Sequence, residues 1–371
     1  MPPRQTYLDW NATAPVRPEV ATAMMAALGR CGNASSVHHN GRAARQAIEA
    51  ARAAVAALCH VAAEEVTFTG GGSEANQLAL RGFPGRRLVI AAIEHDSVRA
   101  AAPDAALVPA RADGTIDLAA LEGELARDPR PALVALMLAN NETGAIQPVA
   151  AAARLAHEKG ALLHCDAIQA AGRLALDREA LGADCLSLSA HKIGGPQGVG
   201  ALVAKASLPL APLLVGGGQE RGRRAGTENL PGIIGFGVAA GLAAAALADQ
   251  PRIAALRDDA EQRLCDLAPS ARVFAAAAPR LANTLCLSMP GVPAATQVMA
   301  LDLAGVMVSA GAACSSGKLR PSHVLAAMGA PPDDADCAIR ISFGWDSTAA
   351  DVDHLVEAWG ALYRRRQASA A

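Results

Sequence analysis

The sequence lacks a surplus of charge of either sign. Lysine and arginine number 33 and aspartate and glutamate number 35, so the formal net charge is -2 at pH 7. Nucleic acids and anionic membrane surfaces attract proteins that carry a basic surplus. The charge balance therefore indicates neither nucleic acid nor a membrane as an obligatory partner.

Paired cysteine motifs are missing as well. The eight cysteines are scattered at positions 31, 59, 165, 185, 265, 286, 314 and 337, with no CxxC pair and no zinc-type spacing. Scattered thiols are typical of proteins in a reducing compartment, so we expect a cytoplasmic protein without a resident metal. Residues 1–9 contain no apolar segment of the signal-peptide kind, and no signal peptide is expected.

One long uncharged run is present at residues 230–248. Eleven of its nineteen residues are glycine or alanine, which contribute little to membrane insertion. The run is preceded by Thr227-Glu228-Asn229 and has Pro231 near its start, which is typical of a helix N-terminus. We expect a buried helix of a globular protein, in keeping with 52% hydrophobic and 18% charged residues over 371 positions.

Apolar runs of strand character alternate with helical stretches in the first half of the chain. Their carboxyl ends carry, in order, Glu94-His95, Asn140-Asn141, Asp166 with Gln169, and Ser189 with His191 and Lys192. Alternation of this kind predicts an α/β fold with a parallel, doubly wound sheet. Ligands of such sheets bind beyond the carboxyl ends of the strands, so these polar groups are expected to form one site.

Lys192 closes the most informative of these strands. An apolar run ends in Ser-Ala-His-Lys and breaks at once into a Gly-Gly-Pro turn. In an apolar setting an ammonium group is costly to desolvate, so its pKa falls and the free amine can form a Schiff base with an aldehyde cofactor. A strand-end lysine that extends into solvent would have the same local sequence.

A glycine turn offers an anion site. Residues 66–76 have the pattern of a strand, a Gly-Gly-Gly turn and a helix start at Ser73, where unpaired N–H groups and the helix dipole favour an anion. A capped helix without a ligand would also fit. Together the anion site, imidazole, amide, carboxylate and lysine match the needs of a phosphorylated pyridine aldehyde, which indicates pyridoxal 5′-phosphate.

The second half of the chain predicts a smaller domain. After the uncharged helix, Pro251 marks a boundary, and helices and strands then follow in an α+β order. We expect a large cofactor-binding domain over 16–250, a small C-terminal domain over 251–371, and an N-terminal segment, 1–15, packed with the small domain. We also predict helices over 18–28, 43–59, 118–126 and 149–159.

Two residues of the second half stand out. Arg340 lies within an apolar strand, where a guanidinium needs an anionic partner, either a ligand carboxylate or a local salt bridge. Cys314 lies in a stretch of small and polar residues with Lys318 and Arg320 nearby in sequence. Exposure and neighbouring cations favour a reactive thiolate, although a loop cysteine without a role has the same pattern.

Seven motifs, in this order along nearly the whole chain, resemble those of the cysteine desulfurases. They are Tyr7 to Thr13, Gly32-Asn33 with Ser35-Ser36, Glu94-His95, Asn140 to Gly144, Ser189 to Lys192, Arg224 to Thr227, and Ala313 to Gly317. The cysteine desulfurases belong to the class V aminotransferase group of fold-type I pyridoxal-phosphate enzymes. The long cysteine segment with Pro321-Ser322-His323 is similar to the group I branch, which includes the nitrogen-fixation and housekeeping iron-sulfur enzymes.

The resemblance implies roles at the cofactor ring. Lys192 would hold the cofactor as a Schiff base, and Asp166 would pair with the pyridinium nitrogen. Gln169 would bond the phenolic oxygen. His95 would stack on the ring and move protons, and Asn141 would also face the cofactor.

It further implies residues for the phosphate, the substrate and the sulfur. The phosphate would be held by Gly72, Ser73, Ser189 and His191. Thr227 would reach the phosphate of the other subunit of a homodimer, and Arg340 with Asn33 would hold the substrate carboxylate. Cys314 would accept the sulfur, and no metal is expected beyond a transient iron-sulfur contact there.

The resemblance thus implies a cysteine desulfurase that converts L-cysteine to L-alanine through a persulfide on Cys314. The sulfur would pass to a protein acceptor or scaffold, for iron-sulfur cluster assembly or for thio-cofactor and tRNA thiolation pathways. Two other interpretations stay open at this point. One is a different class V enzyme, such as an aminotransferase in which Cys314 is incidental, and the other is a weakly active paralogue that serves as a binding partner.

Overall fold

The computed structural model describes residues 4–311 and 321–370. The strands of this part are β1 (Thr6–Tyr7), β2 (Val66–Thr69), β3 (Arg87–Ala91), β4 (Ala106–Val108), β5 (Ala132–Ala135), β6 (Leu162–Asp166), β7 (Cys185–Ser189), β8 (Gly200–Ala204), β9 (Thr284–Ser288), β10 (Val306–Met307), β11 (Ser309–Ala310) and β12 (Ala338–Ser342). The helices are α1 (Pro18–Leu28), α2 (His39–Leu58), α3 (Gly72–Arg81), α4 (Asp96–Arg99), α5 (Leu118–Arg127), α6 (Val149–Glu158), α7 (Leu230–Ala245), α8 (Gln250–Leu267), α9 (Ala294–Leu303), α10 (His323–Ala327), α11 (Pro332–Asp336) and α12 (Ala349–Ala370).

A seven-stranded sheet forms the centre of the molecule, in the order β2-β8-β7-β6-β5-β3-β4. Within this sheet, β7, β6, β5, β3 and β4 run parallel to one another. Their successive side chains point to opposite faces, and both faces are covered, as is usual for parallel sheets. Val134 and Leu186 face the cluster that contains α1, α2 and α6, whereas Leu133 and Cys185 face α3. The predicted α/β fold with a mainly parallel sheet is confirmed.

β8 departs from the expected parallel order. It pairs antiparallel with β7, with Ser189 opposite Gly200, and antiparallel with β2 on its other edge. Only the short segment from Ala190 to Val199 joins β7 to β8, whereas a parallel neighbour needs a crossover of a dozen or more residues, usually a helix. The two strands therefore run in opposite directions.

The uncharged run forms a core helix, as expected. By length and composition, Leu230–Leu267 is the one stretch of the described residues that could span a membrane, but it consists of α7 and α8 with a 3-10 turn between them. Phe236 and Ala239 of α7 are fully buried. A side chain at Gly237 would meet Ala51 of α2 at 2.7 Å, so the two helices pack at close range.

The residues beyond α7 build a second apolar cluster around the antiparallel sheet β11-β12-β9. The N-terminal segment joins this part, because β1 pairs with β10 and Leu8 is buried in the same cluster. The division into 1–15, 16–250 and 251–371 remains a proposal, which these separate apolar clusters support.

Candidate active site

A cavity of about 370 Å³ lies beyond the carboxyl ends of the central strands. Ten of the residues proposed from the sequence line it: Gly72, Ser73, His95, Asn141, Asp166, Gln169, Ser189, His191, Lys192 and Arg340. They come from both halves of the chain. The parallel order of β3, β5, β6 and β7 brings most of them together, since the carboxyl ends of these strands meet at one edge.

Lys192 is delivered to this cavity by a short 3-10 helix, Ala190–Lys192, that follows β7 directly. Its Nζ donates hydrogen bonds to the carbonyl oxygens of Asn11 at 2.6 Å and Ala12 at 2.8 Å. Burial, together with the nearby cations Arg340 and Arg173, lowers the pKa of Lys192 to about 7. A substantial fraction of this amine is thus unprotonated near neutral pH, as a nucleophilic amine requires.

Asp166 is held rigidly at the end of β6. Its Oδ2 accepts a hydrogen bond from Asn76 Nδ2 at 2.8 Å, and its Oδ1 accepts one from the backbone N–H of Ile168 at 3.0 Å. The carboxylate lines the cavity and is only 6% exposed. An oriented carboxylate of this kind is suited to pair with a protonated ring nitrogen.

The start of α3 forms a cradle on the same wall. Gly71, which precedes the helix, has φ 150, in a region that favours glycine. A Cβ at Gly72 would lie 2.3 Å from Ile168 Cδ1, so only glycine leaves the helix N-terminus accessible from the cavity. Ser73, Ser189 and His191 lie around it. Hydroxyl groups and unpaired backbone N–H groups at a helix N-terminus suit a phosphate.

Arg340 reaches the cavity from β12. Its Nη2 donates to Asp9 Oδ1 at 2.7 Å, and its Nη1 donates to the carbonyl oxygen of Asn141 at 3.1 Å. Its buried Nε has no hydrogen-bond partner among the described residues. The guanidinium thus forms a local salt bridge and also retains a donor for an anion in the cavity.

Comparisons with known proteins show the family of this chain. The family described as Aminotransferase class-V matches residues 6–355. A cysteine desulfurase from Cereibacter sphaeroides is 44% identical over 368 residues, which cover 95% of this chain and 94% of that protein. The cysteine desulfurase IscS of Dictyoglomus turgidum is 37% identical over 373 residues, covering 95% of this chain and 93% of that protein. The X-ray structure of a NifS-like protein from Rickettsia africae has a TM-score of 0.91 at 33% identity and covers 97% of this chain and 100% of that one.

The chain belongs to the cysteine desulfurases of the class V aminotransferase family. The resemblance inferred from the seven motifs is confirmed, and so is the fold type that it implied.

Two of the proposed site residues that the structure describes do not line the cavity, and a third is not described. Asn33 is exposed, and its side chain accepts a hydrogen bond from the backbone N–H of Ser35 at 2.8 Å, so its role toward the substrate remains a prediction. Thr227 is exposed and lines a separate small cavity beside Gly70. Cys314 lies outside the described residues.

Several other residues at the site had no role assigned to them from the sequence. Asn11 and Ala12 accept from Lys192 through backbone oxygens, which no side-chain pattern reveals. His323 lines the cavity from α10, and its Nε2 lies 2.8 Å from the carbonyl oxygen of Glu94. Asn76 could have been identified from its position three residues after Ser73. Residues three apart lie on the same side of a helix, and the N-terminus of this helix borders the cavity.

Glu94 is a fully buried carboxyl group behind this wall. Its Oε1 accepts a hydrogen bond from the backbone N–H of Met137, and Oε2 has no hydrogen-bond partner among the described residues. Burial, together with the Asp166 charge, raises the pKa of Glu94 to about 8. The folded protein therefore keeps a proton on Glu94 that the unfolded chain releases above its ordinary pKa of 4.5.

This proton predicts a pH-dependent stability. Between about pH 5 and 8 the folded state binds more protons at Glu94 than the unfolded state, so stability falls as pH rises, by at most about 1.4 kcal/mol per pH unit. Glu94→Gln removes this contribution, and the gain in melting temperature over the unmutated protein should grow from pH 5.5 to pH 7.5. The exposed Glu122→Gln serves as control. A difference in melting temperature between Glu94→Gln and the unmutated protein that is the same at both pH values would contradict the raised pKa of Glu94.

Proposed function

We propose that this enzyme takes the sulfur of L-cysteine onto Cys314 as a persulfide and releases L-alanine. Membership of the cysteine desulfurases carries the activity. The observation that carries the site is the half-buried Lys192, with its lowered pKa, in one cavity with Asp166 and Arg340. The three groups supply an amine, a carboxylate and an anion-binding guanidinium within one small volume.

We infer that pyridoxal 5′-phosphate is the resident cofactor, because the cavity offers each group that the molecule needs. Gly72, Ser73, Ser189 and His191 would hold its phosphate, and Lys192 would bond to its aldehyde carbon. Asp166, Gln169, His95 and Asn141 would surround its ring. When bound, the cofactor withdraws electrons from the substrate carbon next to the amino group.

The chain's own residues would then manage binding and protons. Arg340 would hold the substrate carboxylate with its guanidinium, in competition with Asp9, and Asn33 would assist it. Lys192, whose amine is partly unprotonated near neutral pH, would remove and return protons at the substrate carbons. Burial lowers the pKa of His95, so this imidazole would act from its neutral form.

The sulfur step falls to Cys314. Its thiolate would form a bond with the substrate sulfur while the carbon–sulfur bond breaks, and the electron pair would stay with the carbon. Protonation of that carbon gives alanine, and the sulfur remains on the enzyme as a persulfide. Gly311, three residues before Cys314, lines the cavity, which supports this role.

The persulfide would pass to a protein acceptor or an iron-sulfur scaffold. Iron-sulfur cluster assembly is the pathway that we propose first, with thiolation of other cofactors or of tRNA as further destinations. We also propose a cytoplasmic location. Cys31, Cys59, Cys165, Cys185, Cys265, Cys286 and Cys337 form no disulfide in the described part of the chain, which suits a reducing compartment.

A homodimer would complete the phosphate site. Met25 and Leu28 of α1 are 69% and 65% exposed and line an apolar groove with Val16. Thr13 and Gln197 border both this groove and the opening beside Ser73. An exposed apolar groove at the edge of a catalytic site is typical of a subunit interface, and Thr227 would reach across it.

The cofactor proposal predicts a single labelled lysine. The chain has four, at 159, 192, 205 and 318. Borohydride reduction of the yellow enzyme followed by peptide mapping should place the pyridoxyl group on Lys192, whose amine is the buried one with a lowered pKa. Lys192→Ala should lose the absorbance, while Lys205→Ala, which removes an ion pair with Asp184, should keep it. A pyridoxyl group on another lysine would refute the assignment.

The sulfur proposal predicts that binding and sulfur transfer separate. Cys314→Ala should bind the cofactor and respond spectrally to L-cysteine, yet release less than about 1% of the normal sulfide under a reductant, because its nucleophile is gone. Cys31→Ala, at the exposed cysteine of the described part, is the matched control and should keep normal release. Near-normal sulfide release from Cys314→Ala would rule out Cys314 as the acceptor.

The dimer proposal predicts that glutamate substitutions at two exposed methionines have different effects on self-association. Met25→Glu should weaken self-association at least tenfold in sedimentation experiments, because it would bury a charge in the interface. Met299→Glu, at a methionine 62% exposed on α9, should leave the dimer intact. The proposal fails if Met25→Glu sediments as the unmutated protein does, or if the unmutated protein is monomeric when loaded with cofactor.

A further inference from the structure

A continuous chain of hydrogen bonds links Asp166 to His95 behind the cavity wall. Asn76 Nδ2 donates to Asp166 Oδ2 at 2.8 Å and to Ser97 Oγ at 2.9 Å. Ser97 Oγ in turn lies 2.8 Å from His95 Nδ1. The chain thus connects a carboxylate and an imidazole that both line the cavity, through two residues with no role assigned so far.

The amide of Asn76 has only one orientation in this setting. A carboxylate accepts hydrogen bonds, so the NH2 group must face Asp166 and its two hydrogens serve Asp166 and Ser97. The amide oxygen faces His164 Nε2 at 3.0 Å. Asn76 and His164 are both fully buried, and burial lowers the pKa of His164 to about 3, so the neutral imidazole donates from Nε2.

The orientation of Asn76 determines what Ser97 can do. Since Ser97 Oγ accepts from Asn76, its own hydrogen is left to donate to His95 Nδ1. The backbone N–H of Ser97 also donates to this nitrogen, at 3.1 Å. Two donors directed at Nδ1 leave no room for a proton there, so the proton of neutral His95 must lie on Nε2.

We propose that Asn76 and Ser97 are positioning residues that hold His95 as a neutral imidazole with its proton on Nε2. The inference about the tautomer stands on these contacts alone. Its consequence for catalysis rests on the proposed function, in which His95 moves protons at the substrate. A fixed Nε2–H gives the enzyme one donor of defined position, and the hydrogen-bond chain couples the orientation of that donor to the carboxylate of Asp166.

Other titratable groups around His95 influence its pKa alongside these two donors. Those that face it are Asp166 from β6, Lys192 after β7, its neighbour Asp96 and His323 from α10. Removal of the Ser97 hydroxyl leaves all four in place. It withdraws one donor from Nδ1, which destabilises the neutral form, so His95 should take up a proton at higher pH.

The test is nuclear magnetic resonance of the full-length protein labelled with 15N-histidine, with and without added pyridoxal phosphate. His95 is assigned among the nine histidines with His95→Gln. We expect a single neutral tautomer with the proton on Nε2. Ser97→Ala should give a mixture of tautomers and raise the pKa of His95 by about 0.4 to 1 unit, the equivalent of one neutral hydrogen bond. Ser97→Thr should restore the original signals.

The same variants separate a positioning role from a structural one. The acidic limb of the pH profile of sulfide release should shift to higher pH in Ser97→Ala, by the same number of pH units as the pKa of His95. In Ser97→Thr it should return to its original position. A proton on Nδ1 of the unmutated protein, or an unchanged His95 titration in Ser97→Ala, would overturn the proposal. If the spectra agree and L-cysteine yields no sulfide, the hydrogen-bond chain stands and the proposed function fails.

Discussion

The site depends on one geometric constraint, which is that parallel strands end at the same edge of a sheet. β3, β5, β6 and β7 each finish at this edge, and polar residues stand at the end of each strand or shortly after it. Burial of the strands on both faces fixes their register, because a slip of one residue would turn apolar side chains to the wrong face. The same apolar packing that stabilises the fold therefore sets the separation of the polar groups that line the cavity.

Electrostatics then gives these groups their reactivity. Lys192 lies close to Arg340 and Arg173, and these neighbours help burial to lower its pKa, so that part of its amine is unprotonated near neutral pH. Burial lowers the pKa of Arg173 to about 10, which still leaves it charged near neutral pH. Arg340 and Lys192 line the cavity and offer cationic groups to an anionic cofactor and a substrate carboxylate. Asp9 offsets part of that charge through its bond to Arg340.

Much of this arrangement could be predicted from the sequence because it follows from local patterns. The alternation of strands and helices indicated the sheet, and the polar residues after each strand indicated the site. The bounds of α1 were also predicted, since Pro18 is a favoured first residue of a helix. The predicted start of α2, at residue 43, was four residues too late. The helix begins at His39 because the His38 side chain caps it by accepting a hydrogen bond from the backbone N–H of Gly41 at 3.3 Å.

Features that depend on contacts distant in sequence were not predictable in the same way. The antiparallel placement of β8 follows from a short connection and a partner, β2, more than a hundred residues earlier. The bond from Arg340 to Asp9 joins the two ends of the chain. The link from Asn76 to Ser97 and Asp166 requires three separate elements to meet. Sequence motifs identified residues that line the cavity but not those that orient them.

The most direct test of the account is the identity of the products formed from L-cysteine. Purified enzyme with pyridoxal phosphate and a reductant should yield alanine and sulfide in equal amounts, with no keto acid. That result requires the carbon–sulfur bond to break while the amino group stays on the substrate. Production of a keto acid with transfer of the amino group, and no sulfide, would contradict the account and indicate an aminotransferase on the same fold.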